Sequence, residues 1–209
     1  MNTDYSIIKK KGFKDYFNTY KKTIIILSFI LVLIGGIFLW FDNIQKNKRL
    51  KVSENFIEAK ILLAQEENLK SLDYLKSIIL QKDKVYSPLS LFLIIDNNLE
   101  KNKEVIIQYF DELLSINALE DEDINLLKLK KAIYISNSAK EQNMLDLLNP
   151  IINSNSVWKF QSLKFLGDYY FSLKQFKKAE QYYRILLETD DNNIDKNEIE
   201  RKVKIINNG

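Results

Sequence analysis

The chain of 209 residues has room for one core-forming domain of ordinary size and an appendage; two large domains do not fit. With 0 His and 0 Cys it offers no imidazole base, thiolate nucleophile, disulfide or Cys/His metal site, and with 5 Gly and 2 Pro it builds few tight turns and no glycine-rich phosphate loop. The formal charge of +3 is also uneven: in residues 1–22 six Lys against Asp4 and Asp15 give +4, which leaves −1 for the rest and no electrostatic footprint for nucleic acid.

In chain order, residues 1–22 form a basic, aromatic segment. Phe13, Tyr16, Phe17 and Tyr20 recur at i, i+3, i+4, i+7 and predict one apolar stripe on a short helix at a membrane surface. From Thr23 to Phe41 runs TIIILSFILVLIGGIFLWF, nineteen residues without a charge. As a helix it spans roughly 28 Å, against a hydrocarbon core of about 30 Å. Tyr16, Phe17 and Tyr20 on one side and Trp40 and Phe41 on the other place aromatic rings at the two interfaces. A cleavable signal peptide needs a shorter apolar stretch and small residues at its exit, whereas Phe38 to Phe41 crowd this one, so 23–41 reads as an uncleaved signal anchor. Gly35-Gly36 lacks a full GxxxG and reads as a tolerated pair. Six Lys before the span and Lys46, Lys48, Arg49 and Lys51 after it bias the N-terminus toward the cytoplasm, which puts 42–209 in the periplasm of a bacterium.

Beyond Asp42, apolar residues three and four apart predict helices at 44–66, 70–82, 87–100, 102–116, 121–137, 140–152, 157–173, 175–188 and 194–207. The punctuation is Ser87-Pro88 at a start, Asn117 after an end, Asn149-Pro150 near a stop and Asp190-Asp191-Asn192-Asn193 before the last helix. Whether 44–66 continues the membrane helix is left open. Short loops between such helices describe antiparallel pairs, and the expected class is all-α: one transmembrane helix followed by a stack of helix pairs.

The clearest pair, FQSLKFLGDYYFSLKQFKKAEQYYRILLETDDNN over 160–193, resembles a tetratricopeptide repeat (TPR). Leu166-Gly167, Tyr170, Ala179 and Tyr183 fall at the family's positions; Leu163, Lys174, Leu186 and Asp191 depart from it. Gly167 and Ala179 are small where the two helices must come close, and Leu166, Tyr170, Phe176 and Tyr183 fill the space around them. A degenerate copy covers 86–116, with Ile94 and Ile106 where small residues belong, and 120–152 is a third pair with Ala132. Helix 194–207 then caps the stack. If this holds, Gln161, Lys164, Asp168 and Phe171 point outward from the first helix of the best repeat as candidate partner contacts, with an ordinary solvated face as the plainer reading. Asp168 stands where a carboxylate-clamping repeat needs Asn, which argues against that clamp. Glu120-Asp121-Glu122-Asp123 reads as a helix N-terminus rather than a cation site, and Lys128, Lys130 and Lys131 as a solvated face.

The whole layout resembles the YfgM-type family, TPR-like ancillary subunits of the bacterial Sec translocon. The residues that carry it are Lys14-Asp15-Tyr16-Phe17-Asn18, Gly35-Gly36, Trp40, Tyr86 to Leu91 and Trp158 to Ala179. The resemblance implies an inner-membrane protein working without catalysis or cofactor beside translocon subunits and a periplasmic chaperone or prolyl isomerase, on unfolded secretory clients. Neither nucleic acid nor a small-molecule substrate is expected. Two other readings stay open: a TPR scaffold for another envelope complex, such as outer-membrane assembly or division, and a cytoplasm-facing membrane regulator.

Overall fold

The computed structural model describes residues 13–138, 140–188 and 195–208. Residues 1–12 and the break at Asp190 to Asn193, including Asp191, lie outside that set, as do the side chains of Phe13, Tyr16 and Phe17. Among the described residues the protein is all-α: α1 (Phe13–Ala64), α2 (Asn68–Leu80), α3 (Tyr86–Asp96), α4 (Lys103–Leu114), α5 (Asp121–Ile135), α6 (Glu141–Ile152), α7 (Lys159–Ser172), α8 (Phe176–Leu187) and α9 (Lys196–Asn208).

The question left open at 44–66 is answered by continuity: α1 holds no Pro, Gly35 and Gly36 stay helical with open space around them, and the helix runs on past Asp42. The short surface helix, the apolar stretch and the helix expected at 44–66 are therefore one element. Chain contacts divide the molecule into two compact units, Met1–Lys51 and Val52–Gly209, and the boundary falls inside α1. In the first unit the described apolar side chains of 25–41 are exposed, and α1 is long and apolar enough to cross a membrane by length and composition.

In the second unit, each helix from α2 onward packs on the next in chain order. Two apolar clusters result. One gathers residues of the α1 end and α2 to α4, the other residues of α6 to α9. α5 is their shared wall: Leu127 enters the first, while Leu129 and Ala132 enter the second. The periodicity of α4 shows how each face forms, with Ile106, Phe110 and Leu113 buried at i, i+4, i+7 and each side chain contributing about 1.5–3 kcal/mol of burial. Asn102 caps this helix by accepting from the backbone N–H groups of Glu104 (2.9 Å) and Val105 (3.4 Å).

Serine serves as a small residue between helices. Ser71 is buried and donates to the Ala59 carbonyl at 2.8 Å, tying α2 to α1. Ser87, expected only as helix punctuation, is buried and donates to the Ile78 carbonyl at 2.7 Å, so it ties α3 to α2. Asp83 instead accepts from Val85 and Tyr86 at the helix start. Pro150 lies inside α6 near its stop, as expected: the helix ends two residues later at Ile152.

Three helices end in one geometry. After α1, α3 and α7 the residues Glu66 (φ 63°), Asn98 (φ 51°) and Lys174 (φ 58°) turn left-handed. The next N–H then reaches back five residues, as in Gln175 to the Tyr170 carbonyl at 2.9 Å, closing a Schellman motif. Lys82 (φ 53°) ends α2 in the same region. A side chain there costs roughly 1–2 kcal/mol relative to glycine. Lys174→Gly is therefore expected to raise unfolding free energy by about 0.5–1 kcal/mol after the added entropy of the unfolded chain, and Asn98→Gly by less. Urea midpoints of the two variants against the parent check the order.

Candidate partner-binding surface

Gly167 sets how α7 and α8 meet. A Cβ at this position would lie 2.5 Å from Cε1 and 2.7 Å from Cδ1 of Tyr183, so the tyrosine ring occupies the space a side chain would take. Leu166, Tyr170, Ala179 and Tyr183 are buried around this contact, whereas Phe176 is 36 % exposed at its margin. Tyr170 stacks on Tyr182 with centroids 5.6 Å apart and planes 3° from parallel.

Both buried tyrosines end on carboxylates. Tyr183 donates its hydroxyl to Asp168 Oδ1 at 2.7 Å, and Lys202 of α9 donates to the same oxygen at 2.7 Å. Lys164 donates to Asp168 Oδ2 at 2.8 Å and to Glu198 of α9 at 3.1 Å, and Glu198 also pairs with Lys202 at 2.7 Å. The Lys202 ammonium stands 5.8 Å from the Tyr183 ring centroid. On the other side, Tyr170 donates to Glu141 at 2.7 Å, Lys178 donates to the same carboxylate at 2.8 Å, and that ammonium lies 4.9 Å from the Tyr170 ring. One carboxylate thus joins α7, α8 and α9, and the other joins α6, α7 and α8.

The electrostatics follow. Burial raises the Asp168 carboxyl, and the hydrogen bonds from Lys164, Lys202 and Tyr183 outweigh it, leaving the group below the usual carboxylate range. Hydrogen bonds from Lys202 and Lys164 lower Glu198, and those from Lys178 and Tyr170 lower Glu141. Burial, followed by the adjacent carboxylate, pushes both the Tyr183 and Tyr170 phenols upward, so neither ionises near neutrality.

Of the four outward positions, only Gln161 is solvent-exposed. Lys164 and Asp168 are half-buried and paired with α9, and Phe171 lies edge-on to Phe176 at 5.6 Å and against Tyr183 at 6.5 Å. Two of the four positions on this face of α7, Lys164 and Asp168, are thus engaged by ion pairs to α9, and a third, Phe171, by aromatic contacts to α8. The free surface lies beside it: an open groove lined by Lys174, Gln175, Phe176, Lys177, Lys178, Glu180, Ile206 and Asn207. It combines apolar side chains with three cations. Spacing within α7 gives no sign of it, because half its wall comes from the α7–α8 turn and the end of α9.

The acidic run at 120–123 has a specific task. Asp121, Glu122 and Asp123 occupy the first turn of α5, and Glu122 reaches across to accept from Ser156 Oγ (2.7 Å) and the Val157 N–H (3.2 Å), while its carbonyl accepts from Trp158 Nε1 (3.0 Å). These bonds fix the chain just before α7. Lys131 pairs with Asp111, and Lys130 stands 5.6 Å from the Phe92 ring centroid, so that basic face packs toward earlier helices. No group of His, Cys, Asp or Glu able to hold a metal ion occurs among the described residues.

Gly167→Ala is expected to cost about 1–3 kcal/mol, because the Tyr183 ring is held at both ends and has nowhere to move; thermal melts read this as a lower midpoint. Acid should act through these three lowered carboxyls and through Glu100, which the hydrogen bond from Lys76 also lowers. Their stabilisation is complete above the ordinary carboxylate pKa of about 4 and is lost as pH falls through their lower folded values. Asp168→Asn should therefore be less stable at neutral pH, by about 1–2 kcal/mol given its partial exposure, with the gap to the parent closing as pH falls through the lowered folded value of Asp168. Set against known proteins, the chain matches no family model, no curated protein and no solved structure, so what this surface does is argued from its own residues.

Proposed function

We propose that this chain is a single-pass protein of the bacterial inner membrane, N-terminus in the cytoplasm, whose residues 42–209 form a periplasmic TPR-like solenoid. It assists the Sec translocon and periplasmic chaperones by non-catalytic holding or scaffolding of proteins leaving the channel. The observation that carries the reading is the run Thr23–Phe41, whose described side chains are exposed around the helix. So much contiguous apolar surface is stable in lipid and not in water. The solenoid reading is supported by helices that pack on their sequence neighbours and by the α7–α8 pair, where Gly167 and Ala179 are buried against tyrosines.

Holding uses the open groove beside Phe176: apolar contacts from Phe176 and Ile206, with Lys174 and Lys177 for acidic or backbone carbonyl groups of a client, Lys178 being engaged by Glu141. Anchoring raises the effective concentration of such a surface at a membrane channel without any new contact. A scaffold for a folded envelope partner is the second reading. The closed face of α7 favours it, since Lys164 and Asp168 are already satisfied by α9 and leave less open surface for an extended segment.

A photo-crosslinking side chain at Phe176, with Gln161 as a second site, tests both in living cells. Adducts to translocon subunits, a periplasmic isomerase or nascent secretory chains, lost when secretion is blocked, are expected. Adducts to another envelope complex that persist under that block favour the scaffold. Cytoplasmic adducts overturn the orientation, which a reporter fused after Gly209 checks independently.

A further inference from the structure

Just past the apolar stretch, residues 43–53 carry Lys46, Lys48, Arg49 and Lys51 and no carboxylate. All four side chains are exposed on α1, and Lys48, Arg49 and Lys51 have no ion-pair partner among the described residues. At about 100° per residue, Lys46 and Arg49 fall on one side of the helix and Lys48 and Lys51 on the other. The charge therefore encircles the helix instead of forming a stripe. A flat acidic protein face or a nucleic-acid backbone reaches one side of a rod at a time, and only a ligand approaching from all sides meets such a ring.

The axial spacing identifies that ligand. At about 1.5 Å per residue, Lys22 and Lys46 stand roughly 36 Å apart, and Lys21 and Lys51 roughly 45 Å apart. A bilayer measures about 30 Å across its hydrocarbon and about 40–45 Å with its headgroups. Counted from Phe41, where the uncharged run ends, Lys46 stands roughly 8 Å and Lys51 roughly 15 Å further along the axis, so Lys46 lies at headgroup depth and Lys48, Arg49 and Lys51 at the outer edge of that layer, with Trp40 and Phe41 on the hydrocarbon side of the set.

We propose that Lys46, Lys48, Arg49 and Lys51 form a collar that binds the phosphate groups of anionic phospholipids in the leaflet at the C-terminal end of the span. The proposal rests on the membrane-spanning reading above. The Arg49 guanidinium offers a planar fork that bridges two phosphate oxygens, the lysines supply point charges, and their flexible stems let each head settle at phosphate depth. Such a collar recruits anionic lipid around this one helix in a mixed membrane.

The test uses the full chain in phosphatidylcholine vesicles doped with spin-labelled phosphatidylglycerol or spin-labelled phosphatidylcholine, and reads the motionally restricted fraction of each label. The parent is expected to prefer the anionic label by at least about threefold at low salt, with the preference falling at about 1 M salt, where the screening length is near 3 Å. A Lys46→Gln, Lys48→Gln, Arg49→Gln, Lys51→Gln variant, altered only at exposed positions, should lose most of that preference and keep only the part that the lysines before the span supply. Equal restriction of both labels by the parent, or an undiminished preference in the variant, overturns the collar. Displacement of the label by millimolar inorganic phosphate also overturns it, assigning the cations to a soluble anion. Extraction of the parent by alkaline carbonate overturns the span and the collar together; retention with no preference overturns the collar alone.

Discussion

The contact between Gly167 and the Tyr183 ring is the constraint on which the C-terminal half of the helical unit depends. Because position 167 has no side chain, the ring lies flat on the α7 backbone and its hydroxyl arrives beside residue 168. That brings a phenol to Asp168, and a carboxylate so placed attracts two lysines from opposite directions. One comes from α9, so the clearance at Gly167 adds a charged tie to a helix that also docks on α8 through buried Ile199. The order of causes runs from backbone clearance to ring position, and from there to hydrogen bond and charge cluster.

A different constraint organises the unit as a whole. α5 buries residues on two sides, Leu127 toward the earlier helices and Leu129 with Ala132 toward the later ones, which is why its sequence shows so little contrast between faces. Ala132 allows close approach on one side. Glu122, at the start of the same helix, then fixes the chain entering α7 through Ser156, Val157 and Trp158. The two clusters are thus coupled by one helix that carries apolar packing along its length and hydrogen bonds at its end.

Much of the helical layout was legible in the sequence, since α2 to α9 fall within a few residues of their expected spans. Apolar spacing reports burial, and burial is periodic in any helix that packs on one side. The ends were harder. Glycine is the usual sign of a left-handed C-cap, and this chain places Glu66, Asn98 and Lys174 there. The continuity of α1 was undecided in the sequence, because a helix persists where nothing breaks it and a single polar residue such as Asp42 marks neither an end nor a continuation. Least legible was the surface itself. Lys164 and Glu198 are 34 residues apart, and nothing at either position announces the other, so the ion pairs that tie this face of α7 to α9 cannot be read from α7 alone.

The chain has two tryptophans, and they fall in different compact units. Trp40 sits among exposed apolar side chains of α1, whereas Trp158 is partly buried, with its indole N–H held by the Glu122 carbonyl where α5 meets the start of α7. An indole in an apolar medium emits toward the blue, and one released into water emits toward the red. The protein thus contains its own pair of optical reporters. The emission of Trp40 follows the medium around the N-terminal helix, and that of Trp158 follows the integrity of the junction joining the two cores.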